Sequence, residues 1–234
     1  MTEFAEETTD TPRHRPIRSF VVRAGRMTLK QERGLSEGMT RHGVAYAPEF
    51  LDFANTFSRN APTVLEIGFG MGATTAEIAA AHPHTNYLAV EVHPPGVGSL
   101  CNLLDDQAIG NVRVIQHDAV EVLVHMIAPG SLAGIHIYFP DPWHKARHNK
   151  RRLVQQPLVA LLASRLAANG YLHLATDWIP YAEHILQVLS AQSLLKNTAT
   201  DYAPRPHWRP ETKFERRGLK LGHEVRDLLF RKVA

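Results

Sequence analysis

Thr63-Val64-Leu65-Glu66-Ile67-Gly68-Phe69-Gly70-Met71-Gly72-Ala73-Thr74-Thr75 is the stretch on which the fold turns. Its first five residues, TVLEI, read as a buried strand. The three alternating glycines read as a sharp turn, and the Ala-rich run that follows reads as a helix over Ala73–Ala81. A strand that passes through a glycine turn into a helix opens a β-α-β unit, the unit from which parallel sheets are built. The G-x-G-x-G spacing departs from the G-x-G-x-x-G of dinucleotide enzymes and argues against NAD. A glycine turn also serves plain strand–helix packing, so this segment needs support from the rest of the chain.

Working outward, NYLAVEV (86–92), VRVIQH (112–117), GIHIYF (134–139) and YLHLAT (171–176) repeat the short apolar run of a buried strand. Helical periodicity falls between them, over roughly Val97–Ala108, Ala119–Met126, Leu153–Ala168 and Tyr181–Ser190, with Asn169-Gly170 as a stop signal for the third. The last segment, HEVRDLLFRKV (223–233), reads as a final strand. The expectation is an α/β fold: a doubly wound, mostly parallel sheet with helices on both faces and an antiparallel C-terminal strand. Ligands of such sheets bind at the carboxyl ends of the strands, where strand order reverses.

Acids stand at those ends. Glu66 lies in the first strand, Glu91 closes the second, where a carboxylate can accept from both ribose hydroxyls, and Asp118 closes the third, placed for an adenine edge. Asp118 also suits a helix N-cap. Three such acids together fit a nucleoside-bearing cofactor better than capping alone. The fourth strand runs into FPDPWHKARHNKRR (139–152), where prolines fix the backbone around Asp141 and Trp143 and a run of cations follows. A carboxylate beside an aromatic ring suits a planar base, and the cations suit phosphates.

Charge is segregated in the same sense. The 234-residue chain has a net charge of +3, yet Leu35–Pro140 holds ten acids against three Lys/Arg. Lys and Arg outnumber acids by seven to one in Pro12–Arg33, five to one in Asp141–Arg152 and nine to four from Arg205 onward. One such stretch is an ordinary solvated face, whereas three on one enzyme-like fold point to a polyanion. The single cysteine, Cys101, excludes an intrachain disulfide and suits a reducing, cytoplasmic setting. No apolar run is long enough to span a bilayer, and the first residues lack the apolar stretch of a secretory signal. Residues 1–17 are expected to be disordered and 18–234 to form one domain. Among fourteen histidines, His144 and His148 have helical spacing but flank Lys145 and Arg147, which would repel a cation, so no metal is expected.

FPDPWHKARHNKRR resembles the signature of the bacterial tRNA (guanine-N7-)-methyltransferase family. LEIGFGMG, EVHPPGVGSL, ATDW with Tyr181-Ala182-Glu183, and RPETKFERRGLKLGHEVRDLLF resemble its further motifs in the same order. Arg18-Ser19-Phe20 and Gly25-Arg26-Met27-Thr28 resemble its entry segment. The resemblance covers Arg18 to the C-terminus and implies a Rossmann-like methyltransferase fold with S-adenosylmethionine as cofactor and tRNA as partner. It also implies roles residue by residue. Glu66, Glu91, Asp118 and Asp141 would contact the cofactor, with Gly68, Gly70 and Gly72 shaping its loop, and Asp141 would be catalytic. Lys145, Asp177, Thr212, Lys213, Phe214 and Glu215 would bind substrate, and Arg147, Lys150, Arg151 and Arg152 would touch RNA. The implied target is a guanosine in the variable loop.

Guanine N7 carries a lone pair and no proton, so methyl transfer to it needs alignment and charge stabilisation rather than a general base. An exocyclic amine or another RNA base as target, and a non-catalytic RNA-binding module, are the alternatives, separable by mapping the modified base and by cofactor binding. Oligomeric state leaves no mark on the sequence.

Overall fold

The computed structural model describes residues 19–20, 26–212, 215–216 and 224–233, so the segment expected to be disordered lies outside the described residues. Three short helices come first: α1 (Leu29–Arg33), which continues through a π-helical turn (Gly34–Gly38) into α2 (Met39–His42), and α3 (Phe53–Phe57). The alternating units follow as β1 (Thr63–Ile67), α4 (Ala73–Ala81), β2 (Asn86–Glu91), α5 (Pro94–Asp106), β3 (Val112–Gln116), α6 (Ala119–His125) and β4 (Leu132–Tyr138). After a 3₁₀ segment (Ala146–Arg151) come α7 (Gln156–Arg165), β5 (Leu166–Thr176), α8 (Ile179–Ser190), β6 (Leu195–Asn197) and β7 (Arg226–Lys232).

The strands form one seven-stranded sheet in the order β3-β2-β1-β4-β5-β7-β6. Strands β1 to β5 pair in parallel, and β7 runs antiparallel to both β5 and β6. The side-chain period of two sorts each strand between two cores. Leu65 and Ile67 join a core with residues of α3, α6, α7 and α8, while Val64 joins Ala76, Ile78, Val97 and Leu100 of α4 and α5 on the other face. Glu66 shares the face of Val64. Because the chain winds outward from β1 to β3 and returns to β4 beside β1, the order reverses between β1 and β4. Their carboxyl ends carry the glycine turn and the Phe139–Asp141 loop.

One expected helix is shorter than the sequence reading, and β6 was not expected at all. The helix expected over Leu153–Ala168 spans only Gln156–Arg165, and Leu166 is extended and pairs with Leu132. The register resumes at Gly134 with Tyr171, so β5 carries a bulge over residues 167–170, with Asn169 at a φ of 62°. An apolar stripe that passes from helix to strand without a break conceals the boundary, and Asn-Gly serves either a helix stop or a tight turn.

Candidate active site

A cavity of ≈ 280 Å³ opens at the reversal point, lined by Ile67 and Gly68 of the turn, Val90–His93, His117–Ala119, and Tyr138–Asp141. Ser19, Phe20 and Leu153 complete its wall. The turn is built for close approach. Gly70 has a φ of 59° and nothing would lie within 4 Å of an added Cβ, so the space above it is open. Gly72, at a φ of 78°, is tight instead: a Cβ there would sit 2.6 Å from Leu100 Cβ. The loop thus needs glycine for its backbone at both positions and for packing as well at Gly72.

Glu91 is fixed by backbone donors. The N–H groups of Val92 and His93 donate to Oε1 at 2.7 and 3.0 Å, and Gly70 N–H donates to Oε2 at 3.0 Å, which ties the end of β2 to the glycine turn. Asp118 caps α6 by accepting from Val120 N–H at 2.9 Å. The capping and cavity-lining readings of Asp118 therefore hold together. Beside it His117 stacks on Tyr46 at 3.8 Å between ring centroids and hydrogen-bonds Glu121. His117 escaped the sequence reading, although its place directly before Asp118 marks it as a cavity neighbour.

Glu66 lies beneath the turn rather than on the cavity wall. It is 3% exposed, and neither its Oε2 nor Thr75 Oγ1 has a hydrogen-bond partner among the described residues. Burial pushes its carboxyl up to about 7; the nearby Thr75 hydroxyl draws it back, and the charge of Glu91 adds to the rise. A buried carboxylate left incomplete is costly, and such groups gather at functional sites.

Opposite these acids, Phe139 and Trp143 bracket Pro140-Asp141-Pro142 with φ of 49° and 48°. Left-handed backbone at two bulky aromatics is strained, and strain of this kind is kept where a loop must hold one geometry. Trp143 Nε1 donates to Ser19 O at 3.2 Å, and the Arg151 guanidinium lies 5.1 Å from the Trp143 ring. Asp141 is exposed, and its carboxylate makes no hydrogen bond or ion pair among the described residues. Lys145, Arg147 and Lys150 are exposed beyond it, as is Asp177 at the end of β5.

Two of the expected substrate residues are buried rather than exposed. Arg152 is 8% exposed, its Nε donates to Pro142 O at 3.0 Å, and its guanidinium lies 4.9 Å from the Tyr181 ring. It braces the proline loop from within. Glu215 is 6% exposed with both oxygens held by Arg209, at 2.6 and 2.9 Å. Thr212 and Glu215 are joined reciprocally, Glu215 N–H donating to Thr212 Oγ1 at 3.0 Å and Thr212 N–H to Glu215 Oε2 at 3.3 Å. Lys213 and Phe214 lie outside the described residues.

Among the described residues no helix is long and apolar enough to cross a membrane, and no group of three or more His, Cys, Asp or Glu could hold a metal ion.

Residues 60–228 match a family profile described as "Putative methyltransferase". The tRNA (guanine-N(7)-)-methyltransferase of Burkholderia cenocepacia is 65% identical over 221 residues, 94% of this chain and 87% of the relative. That of Bordetella parapertussis is 59% identical over 229 residues, 98% of this chain and 90% of the relative. Among solved structures, the 16S rRNA methyltransferase KamB superposes with a TM-score of 0.57 at 15% identity, covering 80% of this chain and 95% of that one. An rRNA methylase from Streptococcus thermophilus gives 0.51 at 14% identity, covering 74% and 88%. Likeness at such identities speaks for the fold.

Proposed function

The chain belongs to the tRNA (guanine-N(7)-)-methyltransferase family, and on that premise we propose that it transfers the methyl group of S-adenosylmethionine to N7 of a guanine in the variable loop of tRNA. The observation that carries the reading is the cavity at the β1–β4 reversal, with Glu91 and Asp118 on one wall and the unpaired carboxylate of Asp141 on the other. Such a substrate suits a cytoplasmic enzyme.

The residues present fit the cofactor. Glu91 Oε2 takes one backbone donor and keeps a lone pair for a ribose hydroxyl, and Asp118 stands where an adenine edge would lie. The open space above Gly68 and Gly70 admits a ligand against the backbone. The orphaned Oε2 of Glu66 suits a ligand that brings its own cationic donor, here an α-ammonium, directly or through water. When bound, S-adenosylmethionine supplies an electrophilic methyl group on a sulfonium.

Everything else falls to the chain. Phe139 and Trp143 hold the Pro140–Pro142 loop rigid, and Arg152 braces it from behind, so Asp141 is presented in one geometry. Asp141 accepts from the N1–H and N2 amino edge of guanine and offsets the positive charge that grows on the purine during transfer. N7 gives up no proton, so no side chain acts as general base. Lys145, Arg147, Lys150 and Arg151 present cations to phosphates beyond the strand end.

The test is single-turnover transfer to tRNA at saturating cofactor between about pH 6 and 8. Asp141→Asn keeps the shape and removes the charge, and should slow transfer on the order of 10²–10³. The wild-type rate should be flat with pH. A wild-type rate climbing tenfold per pH unit would indicate a base-assisted reaction at an amine or hydroxyl and refute N7 as target. A near-normal Asn variant would make Asp141 structural.

A further inference from the structure

Behind the sheet edge that carries Asp141 lies a buried ionic network whose centre, Arg209, stands outside the cavity. Arg209 is 2% exposed. Its Nε and Nη2 donate to the two oxygens of Asp227 on β7 at 2.7 and 2.8 Å, and its Nη1 and Nη2 donate to the two oxygens of Glu215 at 2.6 and 2.9 Å. One guanidinium thus makes two bidentate pairs, which its planar fork allows and a lysine ammonium does not.

The network continues into the active-site strand. Burial lowers the pKa of His173 despite the neighbouring carboxylate; its Nε2 pairs with Asp227 Oδ1 at 2.7 Å, the carboxylate accepting, and its Nδ1 pairs with the Tyr138 hydroxyl at 2.9 Å. Tyr138 ends β4, and the next residue, the strained Phe139, has its ring 5.9 Å from the Arg209 guanidinium. Two residues later stands Asp141. Arg209 therefore joins the Thr212–Glu215 pair to the strand end that presents the catalytic carboxylate. Each group from Tyr138 to Glu215 finds a partner in the next, so the two parts are held in one relative geometry.

We propose that Arg209 is a positioning residue for methyl transfer, fixing Thr212 and Glu215 relative to the strand end that carries Asp141. This rests on the functional reading above together with the substrate role that the family resemblance implies for Thr212. Glu215 on this view serves the substrate indirectly, by anchoring Thr212 through their reciprocal hydrogen bonds.

Arg209→Lys keeps the charge and breaks the double fork, and Glu215→Gln spares the Arg209–Asp227 pair while weakening the anchor. Both variants would be compared with the wild type for cofactor affinity by calorimetry, kcat/KM on tRNA, and hydrogen exchange at the Glu215 and Arg216 amides. A misplaced anchor should lower kcat/KM about a hundredfold in Arg209→Lys. Cofactor affinity should stay at the wild-type level and exchange at the two amides should quicken. Glu215→Gln should show the same pattern more mildly, and it decides the matter alone if Arg209→Lys fails to fold. Wild-type kcat/KM in a folded variant overturns the proposal, as does a parallel loss of cofactor affinity, which would mark a general structural role. A wild-type enzyme that transfers nothing to tRNA overturns the functional reading and the proposal together, a result distinct from either of those.

Discussion

Glu66, beneath the glycine turn, and Glu215, behind the C-terminal strand, are both glutamates under a tenth exposed, at 3% and 6%. Glu66 keeps one oxygen with no partner among the described residues and has its carboxyl pushed up to about 7, chiefly by burial. Glu215 has both oxygens held by a guanidinium that also holds Asp227. The same side chain is thus incomplete beneath the glycine turn and fully satisfied beside β7. An incomplete buried carboxylate at the strand ends is a place for a ligand to complete, whereas a satisfied one is framework.

The largest effect that can test this contrast is expected from Arg209→Met. Removing the cation leaves two carboxylates buried without a partner, which should destabilise the fold by about 3–5 kcal/mol. Denaturant unfolding at neutral pH measures it, and a decrease no larger than that of an ordinary surface substitution would deny the network its role as framework.

Glu66→Gln should act in the opposite direction. A carboxyl that titrates near 4.5 when unfolded and near 7 when folded holds its proton more tightly in the fold. Its contribution is most favourable below pH 4.5, is lost as pH rises toward 7, and is level above that. At pH 8 the cost reaches about 3 kcal/mol, and Glu66→Gln should recover much of it. The gain should vanish by about pH 4. The same group sharpens the ligand side of the comparison. Cofactor affinity of the wild type should strengthen from pH 6 to pH 8 as Glu66 ionises and accepts a cationic donor, and the Gln variant should lose that dependence. A Gln variant no more stable than wild type at pH 8 would show that Glu66 is satisfied within the fold.

Glu91→Ala should weaken cofactor binding by about 1.5–3 kcal/mol, roughly ten- to hundredfold, with the fold retained. Calorimetric titration at fixed pH checks it, and unchanged affinity would remove Glu91 from the site. The smallest change belongs to the surface. Neutralising Lys150 and Arg151 should lower the salt slope of tRNA binding by about 0.7–0.9 for each phosphate that is no longer neutralised. Arg152→Ala should instead cost stability, because its guanidinium is spent on Pro142 and Tyr181. Equal salt slopes in the Lys150/Arg151 variant and the wild type would make that cluster a solvated face.

How much of this was legible follows from the range over which each signal acts. β1, its glycine turn and α4 were legible to the residue because each is a local pattern, and the chain passes through them in one continuous run. The place of Glu91, Asp118 and Asp141 on the cavity wall was legible for the same reason: strand ends are local, and the sheet gathers them. The N-terminal helices went unread because LKQERGLSEGMTRH has no apolar stripe and two glycines. There Gly34 lies so close to α5 that a Cβ would meet Gly98 O at 2.1 Å, a packing signal with no local trace. The burial of Arg152 and Glu215 was not legible, because the resemblance that gave them RNA and substrate roles says nothing of their partners. Their partners stand ten residues away at Pro142 and six away at Arg209, and Asp227, which completes the network, lies eighteen from Arg209. Tertiary pairing over such spans leaves no periodicity to read.

The central claim, methyl transfer to N7 of a tRNA guanine, is tested most directly by incubating the protein with methyl-labelled S-adenosylmethionine and bulk tRNA and identifying the labelled nucleotide and its position. The account predicts a single product, 7-methylguanosine, in the variable loop, formed by the wild type and nearly abolished with Asp141→Asn. Label on an exocyclic amine, on another base, or on no nucleotide at all would contradict it.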